Sequence, residues 1–348
     1  MLLSIIIINY NTFQLTCECI RSIKETTHVE HEIILVDNNS KECSPQRFLE
    51  VFPDIKLIAL QENVGFGRAN NRGVEEASGK YVLLLNSDTL VHQRTLDETV
   101  GYLETNPQVD ILGCKVLFDN NSVQTTVVKD EREYQFLSAL KYLVKRNTLF
   151  VEARLFLINK KQSGRTTEEQ PAVVSVNQTT ASSEQITLNY HNGKRIGSLV
   201  GVFLLLKKSV YVSSKGFDPD FFMYYEEIEW FVNRLRNFNV VYYPNAAVLH
   251  YHGASDVHKK MNLQFFVSQY LFWYKMGYLQ YISYFFFILL EIPSRAMARV
   301  LFGRKRPSED IPQLLKAIPY FFKVLRYPNR YGARPESLKL NYLQKHNY

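Results

Sequence analysis

Cysteine is scarce in the 348-residue sequence: Cys17, Cys19, Cys43 and Cys114 are the only four, all in the first third, with no Cys-x-x-Cys pair. This argues against a disulfide frame or a zinc site and fits reduced thiols in a cytosolic compartment. Long apolar runs are lacking too. The opening stretch through Ile8 has an apolar run of only about seven residues, with no basic n-region and no small-residue cleavage site. It reads as a buried parallel strand rather than a signal peptide. Tyr281 to Leu290 is nearly all apolar, but Glu291, Pro293 and Arg295 interrupt its extension, so the run of about ten residues is too short to span a bilayer. There is no internal repeat, and neither G-x-x-x-x-G-K nor G-x-G-x-x-G phosphate-loop spacing occurs.

What remains is an ordinary globular composition, 46% apolar and 22% charged, with aromatics high at 14%. Disorder and collagen-like repeats are thereby excluded. The length suits one α/β domain of about 250 residues plus an appendage, or two ordinary domains. The net charge of +7 is uneven. From Asp256 to Tyr348 there are 15 Lys+Arg against 5 Asp+Glu, a balance of +10, which leaves 26 against 29, or −3, for the first 255 residues. The basic character belongs to the tail.

Apolar β-rich runs alternate with amphipathic stretches: Ser4 to Ile8, Thr16 to Lys24, Ile33 to Val36, Ile55 to Leu60, Arg68 to Ala77, Tyr81 to Leu85, then Thr95 to Thr105 and Asp110 to Phe118. Such alternation predicts a mostly parallel sheet flanked by helices, with ligands at the carboxyl ends of its strands. Asn9-Tyr10-Asn11, Asp37-Asn38-Asn39 and Asn86-Ser87-Asp88 each follow an apolar run and so fall on one rim. The polar segment 160–195 reads as an excursion or flap, with a β-hairpin within 173–190. Apolar pattern returns at Ser198 to Leu206.

Each rim motif alone is weak. Asn86-Ser87-Asp88 is more often an Asx turn than a cation site, although a divalent ion bridging diphosphate oxygens needs a carboxylate in such a place. Asp37 could accept hydrogen bonds from ribose or base, or close a turn with its neighbours. Between them lies Asn63-Val64-Gly65-Phe66-Gly67-Arg68-Ala69-Asn70-Asn71-Arg72-Gly73, whose glycines permit close backbone approach and whose Asn and Arg side chains can contact a ligand. Farther on, Glu226, Glu227 and Glu229 place three carboxylates within four positions. On a helix Glu226 and Glu229 share a face and Glu227 points elsewhere.

In combination, Ile7-Ile8-Asn9-Tyr10-Asn11, Ile34 to Asn38, the N-x-G-F-x-x-A-N-N-x-G string, Asn86-Ser87-Asp88, Gly216-Phe217-Asp218, Phe222 to Trp230 and His250-x-x-Gly253-x-Ser255 resemble glycosyltransferase family 2 over about residues 1 to 280. The pattern is most similar to the family's rhamnosyltransferase-like branch. The resemblance implies a GT-A fold and an inverting, Mg2+- or Mn2+-dependent transfer of sugar from a nucleotide diphosphate-sugar. It implies that Asp37 contacts base or ribose and that Asp88 is the acid of the metal motif, with His250 approaching the metal from the C-terminal side. His252 is uncommitted. By the same resemblance Glu227 is the general base, with Glu226 second, and Asn9, Tyr10, Asn11, Asn63, Gly65, Arg68, Asn71, Asn86 and Ser87 line the donor site. Asn86 departs from the acid of Asp-x-Asp, which leaves Asp88 as the triplet's only anion. Glu227 stands one methylene longer than the family's Asp.

The expected organisation is a transferase domain over 1–255 and a basic, aromatic helical extension over 256–348. The extension reads as an interfacial helix on anionic lipid, with packing on the catalytic domain or on a second subunit as the alternative. The expected donor is dTDP-rhamnose, with UDP-hexoses behind it, and the expected acceptor is a polyprenyl-linked saccharide at the cytoplasmic membrane face, in cell-surface polysaccharide synthesis. A sugar-nucleotide nucleotidyltransferase would show a Gly-rich, basic segment after the first strand, and Asn9-Tyr10-Asn11-Thr12 is not one. A non-enzymatic scaffold for membrane or nucleic acid would explain the tail but not the rim acids. No nucleic-acid partner is expected.

Overall fold

The structure is a computed structural model, and it describes residues 1–124, 126–129, 147–154, 186–188, 197–251, 263–302 and 311–326. Most of the expected flap and hairpin, His252, Gly253, Ser255 and the Arg304-Lys305-Arg306 cluster lie outside them. The chain forms two compact units. One comprises Met1–Asp130 with Thr179–Asp256, the other Glu131–Gln178 with Val257–Tyr348.

In the first unit, β1 (Leu3–Asn9) is buried along its whole length because helices cover both sides of it. Leu3, Ile5 and Ile7 pack with Cys17, Ile20 and Ile23 of α1 (Phe13–Thr26) in one core. Ile6 and Ile8 pack with Ala69 and Val74 of α3 (Phe66–Glu75) in another. Side chains alternate across a strand, so one apolar run feeds two cores. Each fully buried aliphatic contributes about 1.5–3 kcal/mol.

The main sheet runs β3-β2-β1-β4-β10-β6-β11-β5, with β8 (Ile186–Leu188) also on β11. The half that begins with β1 is parallel: β1 pairs with β2 (His31–Asp37) and β4 (Tyr81–Asn86), and β2 with β3 (Lys56–Ala59). In that register Asn9 lies beside Asp37, and Ile8 beside Asn86, so the three polar strand ends share one rim.

The other half is mixed rather than parallel. β10 (Phe203–Lys207) inserts antiparallel between β4 and β6 (Ile111–Leu117). The run Ser198 to Leu206 is therefore two strands, since Gly197–Leu199 forms β9 and pairs with β7 (Val127–Lys129) in a separate ribbon.

The long β11 (Val240–His250) pairs parallel with β6, and its register shifts between Tyr243 and Ala247, at Pro244-Asn245. A proline cannot donate to the ladder, so it sits where the ladder is broken. Beyond the shift, Val248 to His250 also pair antiparallel with β5 (Thr89–Val91). Helices α2 (Arg47–Val51), α4 (Thr95–Thr105) and α5 (Lys208–Ser213) complete the described helices between Phe13 and Ser213 in this unit.

In the second unit, α7 (Leu263–Met276), α8 (Tyr278–Phe302) and α9 (Ile311–Arg326) pack through aromatic rings. Tyr281 and Phe321 stack at 4.6 Å, and Tyr270 and Tyr284 meet edge-on at 5.3 Å. Glu291, 1% exposed, accepts from Thr148 N (2.8 Å) and Oγ1 (2.7 Å) and pairs with Arg295 Nε at 2.9 Å. A carboxylate of α8 thus satisfies the first N–H of the helical stretch 148–154.

Candidate active site

The rim begins at a buried amide. Asn9 Nδ2 donates to Asp37 Oδ1 (2.7 Å) and Ser40 Oγ (2.9 Å), while its Oδ1 accepts from Thr12 Oγ1 and Thr16 Oγ1 at 3.0 Å each. Asp37, 2% exposed, also accepts from Ser40 N at 3.0 Å. The end of β1 therefore fixes the acid at the end of β2. Asn11 and Asn39 adopt left-handed backbone (φ 54° and 63°), which Asn tolerates, and Asn11 Oδ1 accepts from Lys41 N at 2.7 Å. Tyr10 is partly exposed on the same rim.

The glycine-containing string works mainly on protein. Asn38 Nδ2 donates to Asn63 Oδ1 at 2.9 Å, and Asn38 Oδ1 accepts from Val64 N at 2.9 Å. Gly65 (φ 87°, ψ 171°) occupies a region open essentially to glycine alone. A Cβ there would lie 2.1 Å from the Phe222 carbonyl oxygen. The close approach it permits is that of the 217–222 segment. Arg68 Nε donates to Pro219 O, and burial pulls its guanidinium below the usual range. Asn71 clasps Phe217, donating from Nδ2 to its carbonyl (3.0 Å) and accepting from its N–H (3.1 Å).

This predicts a stability effect with no ligand involved. Gly65→Ala adds both the wrong backbone region and a steric clash, each costing about 1–3 kcal/mol. Urea unfolding should show a loss of at least about 2 kcal/mol, and an unchanged midpoint would contradict the packing described.

The clasped segment delivers the acidic run. Tyr224 and Tyr225 are consecutive left-handed residues (φ 69° and 68°) that turn the chain into α6 (Glu226–Glu229), which continues as a π turn over Trp230–Arg234. Strain and π turns of this kind gather at functional sites. Glu229 is committed to structure: it pairs with Arg234 Nε (3.2 Å), whose NH2 group also holds Asp218 at 2.7 Å.

Glu226 is 4% exposed, and its side chain lies over Gly67 of α3. Its Oε2 has no hydrogen-bond partner among the described residues. Burial, and then the neighbouring Glu227, push its carboxyl well above the usual range. Glu227 is partly exposed and lies near Gly201 and the Phe66 ring. Burial raises its carboxyl as well, opposed by its own N–H and that of Ile228.

Gly201 links this side of the site to the other. The next residue, Val202, accepts from Asn86 N at 3.1 Å before the chain enters β10 beside β4. Asn86-Ser87-Asp88 and Glu227 therefore flank one turn. Ser87 Oγ lies 3.3 Å from Thr12 Oγ1. His250 arrives through the β5–β11 pairing, and Tyr251 N donates to the Asp88 carbonyl at 2.9 Å. His250 Nε2 stands 3.2 Å from Asp88 Oδ1 and 3.5 Å from Asn86 Nδ2.

The residue that sequence reasoning missed is Gln124. Its Oε1 lies 2.9 Å from His250 Nδ1 and orients the ring, whose Nε2 faces Asp88. Gln124 follows the carboxyl end of β6, and rim position alone could have nominated it. Beneath the triplet, Cys19 donates to the Asn86 carbonyl at 3.7 Å. Burial pushes its thiol up to about 12, so it takes no part as a thiolate.

Among the described residues no group of three or more His, Cys, Asp or Glu could hold a metal. The set present is one carboxylate, one imidazole nitrogen and the buried Asn86 Oδ1, which has no partner among the described residues. An orphaned amide oxygen beside a carboxylate and an imidazole suits a divalent cation that draws its other ligands from phosphate.

Comparison with known proteins agrees with this architecture. A family model described as "Glycosyl transferase family 2" matches residues 4–163. The uncharacterized glycosyltransferase YwdF of Bacillus subtilis (strain 168) is 32% identical over 105 residues, 30% of this chain and 39% of that protein. The uncharacterized glycosyltransferase MJ1057 of Methanocaldococcus jannaschii is 28% identical over 152 residues, 42% of this chain and 52% of that protein. The O-antigen biosynthesis protein RfbC of Myxococcus xanthus is 34% identical over 105 residues, 29% of this chain and 8% of that protein. The chain thus spans about half or less of the length of these relatives. In fold it is similar to S. aureus TarS 1-349 in complex with UDP-GlcNAc, at TM-score 0.52 and 13% identity, covering 99% of this chain and 92% of that one. The matched segment carries β1, β2, β4 and the Asn86-Ser87-Asp88 rim, and over those residues the chain is similar to glycosyl transferase family 2.

Proposed function

We propose that the protein is an inverting glycosyltransferase that moves a sugar from a nucleotide diphosphate-sugar to a saccharide hydroxyl with the aid of Mn2+ or Mg2+. The observation that supports it best is the Asp88–His250 pair, which lies across the Val200–Val202 turn from Glu227. A cation-binding edge and a raised carboxyl on one rim are what single displacement requires.

In this reading Asp37, held by Asn9 and Ser40, receives the base or ribose. Asp88, His250 and the Asn86 side-chain Oδ1 would hold the cation, which would offset the charge of the departing nucleoside diphosphate. Glu227 accepts the proton of the acceptor hydroxyl, whose oxygen attacks the anomeric carbon opposite the leaving group. Glu226 is the poorer base because it is buried over Gly67 of α3. The raised Glu227 carboxyl must ionise to act, so turnover rises as pH rises through a point above the ordinary carboxylate range.

Among donors, dTDP-rhamnose is the first choice, supported by the sequence resemblance. UDP sugars are second, and the TarS complex with UDP-GlcNAc gives them a precedent in a related fold. The acceptor we propose is a lipid-linked saccharide of cell-surface polysaccharide synthesis, met at a membrane surface.

The test is a panel of nucleotide-sugars with Mn2+ or Mg2+, read as nucleoside diphosphate released on adding saccharide acceptors. Release that needs both cation and acceptor is expected. Consumption of nucleoside triphosphate with sugar phosphate would instead indicate a nucleotidyltransferase, and absence of nucleotide binding a scaffold.

A further inference from the structure

We infer that the outer face of α8, continued by α9, is a docking surface for an anionic lipid bilayer. The inference takes up the membrane part of the proposal above and does not depend on which sugar is transferred.

The case begins with spacing. Leu279, Phe286, Leu290, Met297 and Leu301 recur at intervals of seven, four, seven and four, which by helical geometry keeps them on one side, with Pro293 breaking the hydrogen-bond ladder between Leu290 and Met297. They are 58, 58, 62, 46 and 59% exposed. The opposite side is already occupied: Tyr281, Tyr284, Ile288 and Glu291 are buried in the helical unit. The helix is therefore anchored by one face and bare on the other. None of its charged residues, Glu291, Arg295 and Arg299, falls within the apolar stripe. The aromatic Tyr278, 62% exposed, stands at its start.

The surface continues onto α9. The Phe285 ring lies 5.9 Å from both Phe286 and Phe322, and it stacks on Phe321 at 4.0 Å. Leu315 and Phe322, two helical turns apart, are exposed on the same face. Next to each in sequence is an exposed lysine, Lys316 and Lys323. Seven large apolar side chains, each about half exposed or more, exceed what scattered surface residues provide and mark a contact site.

Charge selects the occupant. The three helices carry Lys275, Arg295, Arg299, Lys316, Lys323 and Arg326 against Glu291 alone, six positive charges to one negative, so a second copy docked here would meet like charge, whereas anionic headgroups are complementary. No described helix is long and apolar enough to cross a membrane. A helix fixed along one side, with an uncharged outer stripe and flanking lysines, is built to lie in the interface.

The experiment is flotation of the full chain with phosphatidylcholine vesicles, with and without phosphatidylglycerol. Wild type should float with the anionic vesicles at low salt and much less with the neutral ones. Phe286→Glu with Leu290→Glu should weaken binding to both kinds of vesicle more than tenfold, while Lys316→Glu with Lys323→Glu should weaken only the anionic component, by about tenfold or more. All four positions are exposed, and unchanged thermal unfolding confirms that the variants fold; Phe286→Ser serves in place of a variant that does not. Wild type that ignores both vesicles overturns the inference. So does a concentration-dependent dimer, measured by sedimentation, that the Phe286 and Leu290 changes abolish while vesicle binding persists. Transfer to a soluble acceptor is assayed in parallel. Its loss without loss of flotation counts against the enzymatic reading alone, and the reverse counts against the lipid surface alone.

Discussion

Replacing Glu227 by Gln is expected to lower sugar transfer by about 10² to 10⁴-fold, the usual contribution of a positioned general base, with donor affinity nearly unchanged. The two effects separate because Glu227 stands across the Val200–Val202 turn from Asn86 and makes no contact with Asp37 or its clamp from Asn9 and Ser40. Stability should change little, since Glu227 is partly exposed and Glu229, not Glu227, carries the ion pair with Arg234. The acid limb of the pH–rate profile should vanish with the carboxylate. Glu227→Asp should retain partial activity, because a displacement of about 1 Å can cost up to 10²-fold. Full turnover in Glu227→Gln, with none in Glu226→Gln, would move the base to the enclosed neighbour.

Asp88→Ala should weaken Mn2+ binding by more than about 100-fold, since losing even an outer partner of a metal ligand typically costs 10–100-fold, and should abolish cation-supported turnover. The fold has reason to survive: the bond from Tyr251 N goes to the main-chain carbonyl of Asp88, which the substitution keeps. Calorimetric titration of Mn2+ in the presence of nucleoside diphosphate reads the effect directly. Wild-type affinity in the variant would remove Asp88 from the site.

Much of the site could be read from residue order because the parallel half of the sheet lays sequence order onto space. Asn9, Asp37 and Asn86 each end an apolar run, and parallel pairing brings such ends together. The i, i+3 spacing correctly separated Glu226 and Glu229, both buried, from the more exposed Glu227. Strand direction was not legible at Phe203–Lys207, since a fully buried run looks the same parallel or antiparallel. Nor was the long-range work of Arg68 and Asn71, whose partners Pro219 and Phe217 lie 151 and 146 positions away. Gln124 escaped for a like reason: nothing local marks it, and His250 is 126 positions on.

The break in β11 at Pro244 bears on how the protein is made. Asn86 and Gln124 leave the ribosome long before His250, which lies 164 and 126 positions later, and only the segment after the break joins them. Closing loops of that length is slow and precedes the reward of the contacts that follow. A nascent chain can thus settle β1, β2, β3 and β4 before the Asp88–His250 pair forms, and β11 completes that edge late in folding. Substitutions near Pro244 should then act on the yield of assembled sites more than on the stability of the parallel core.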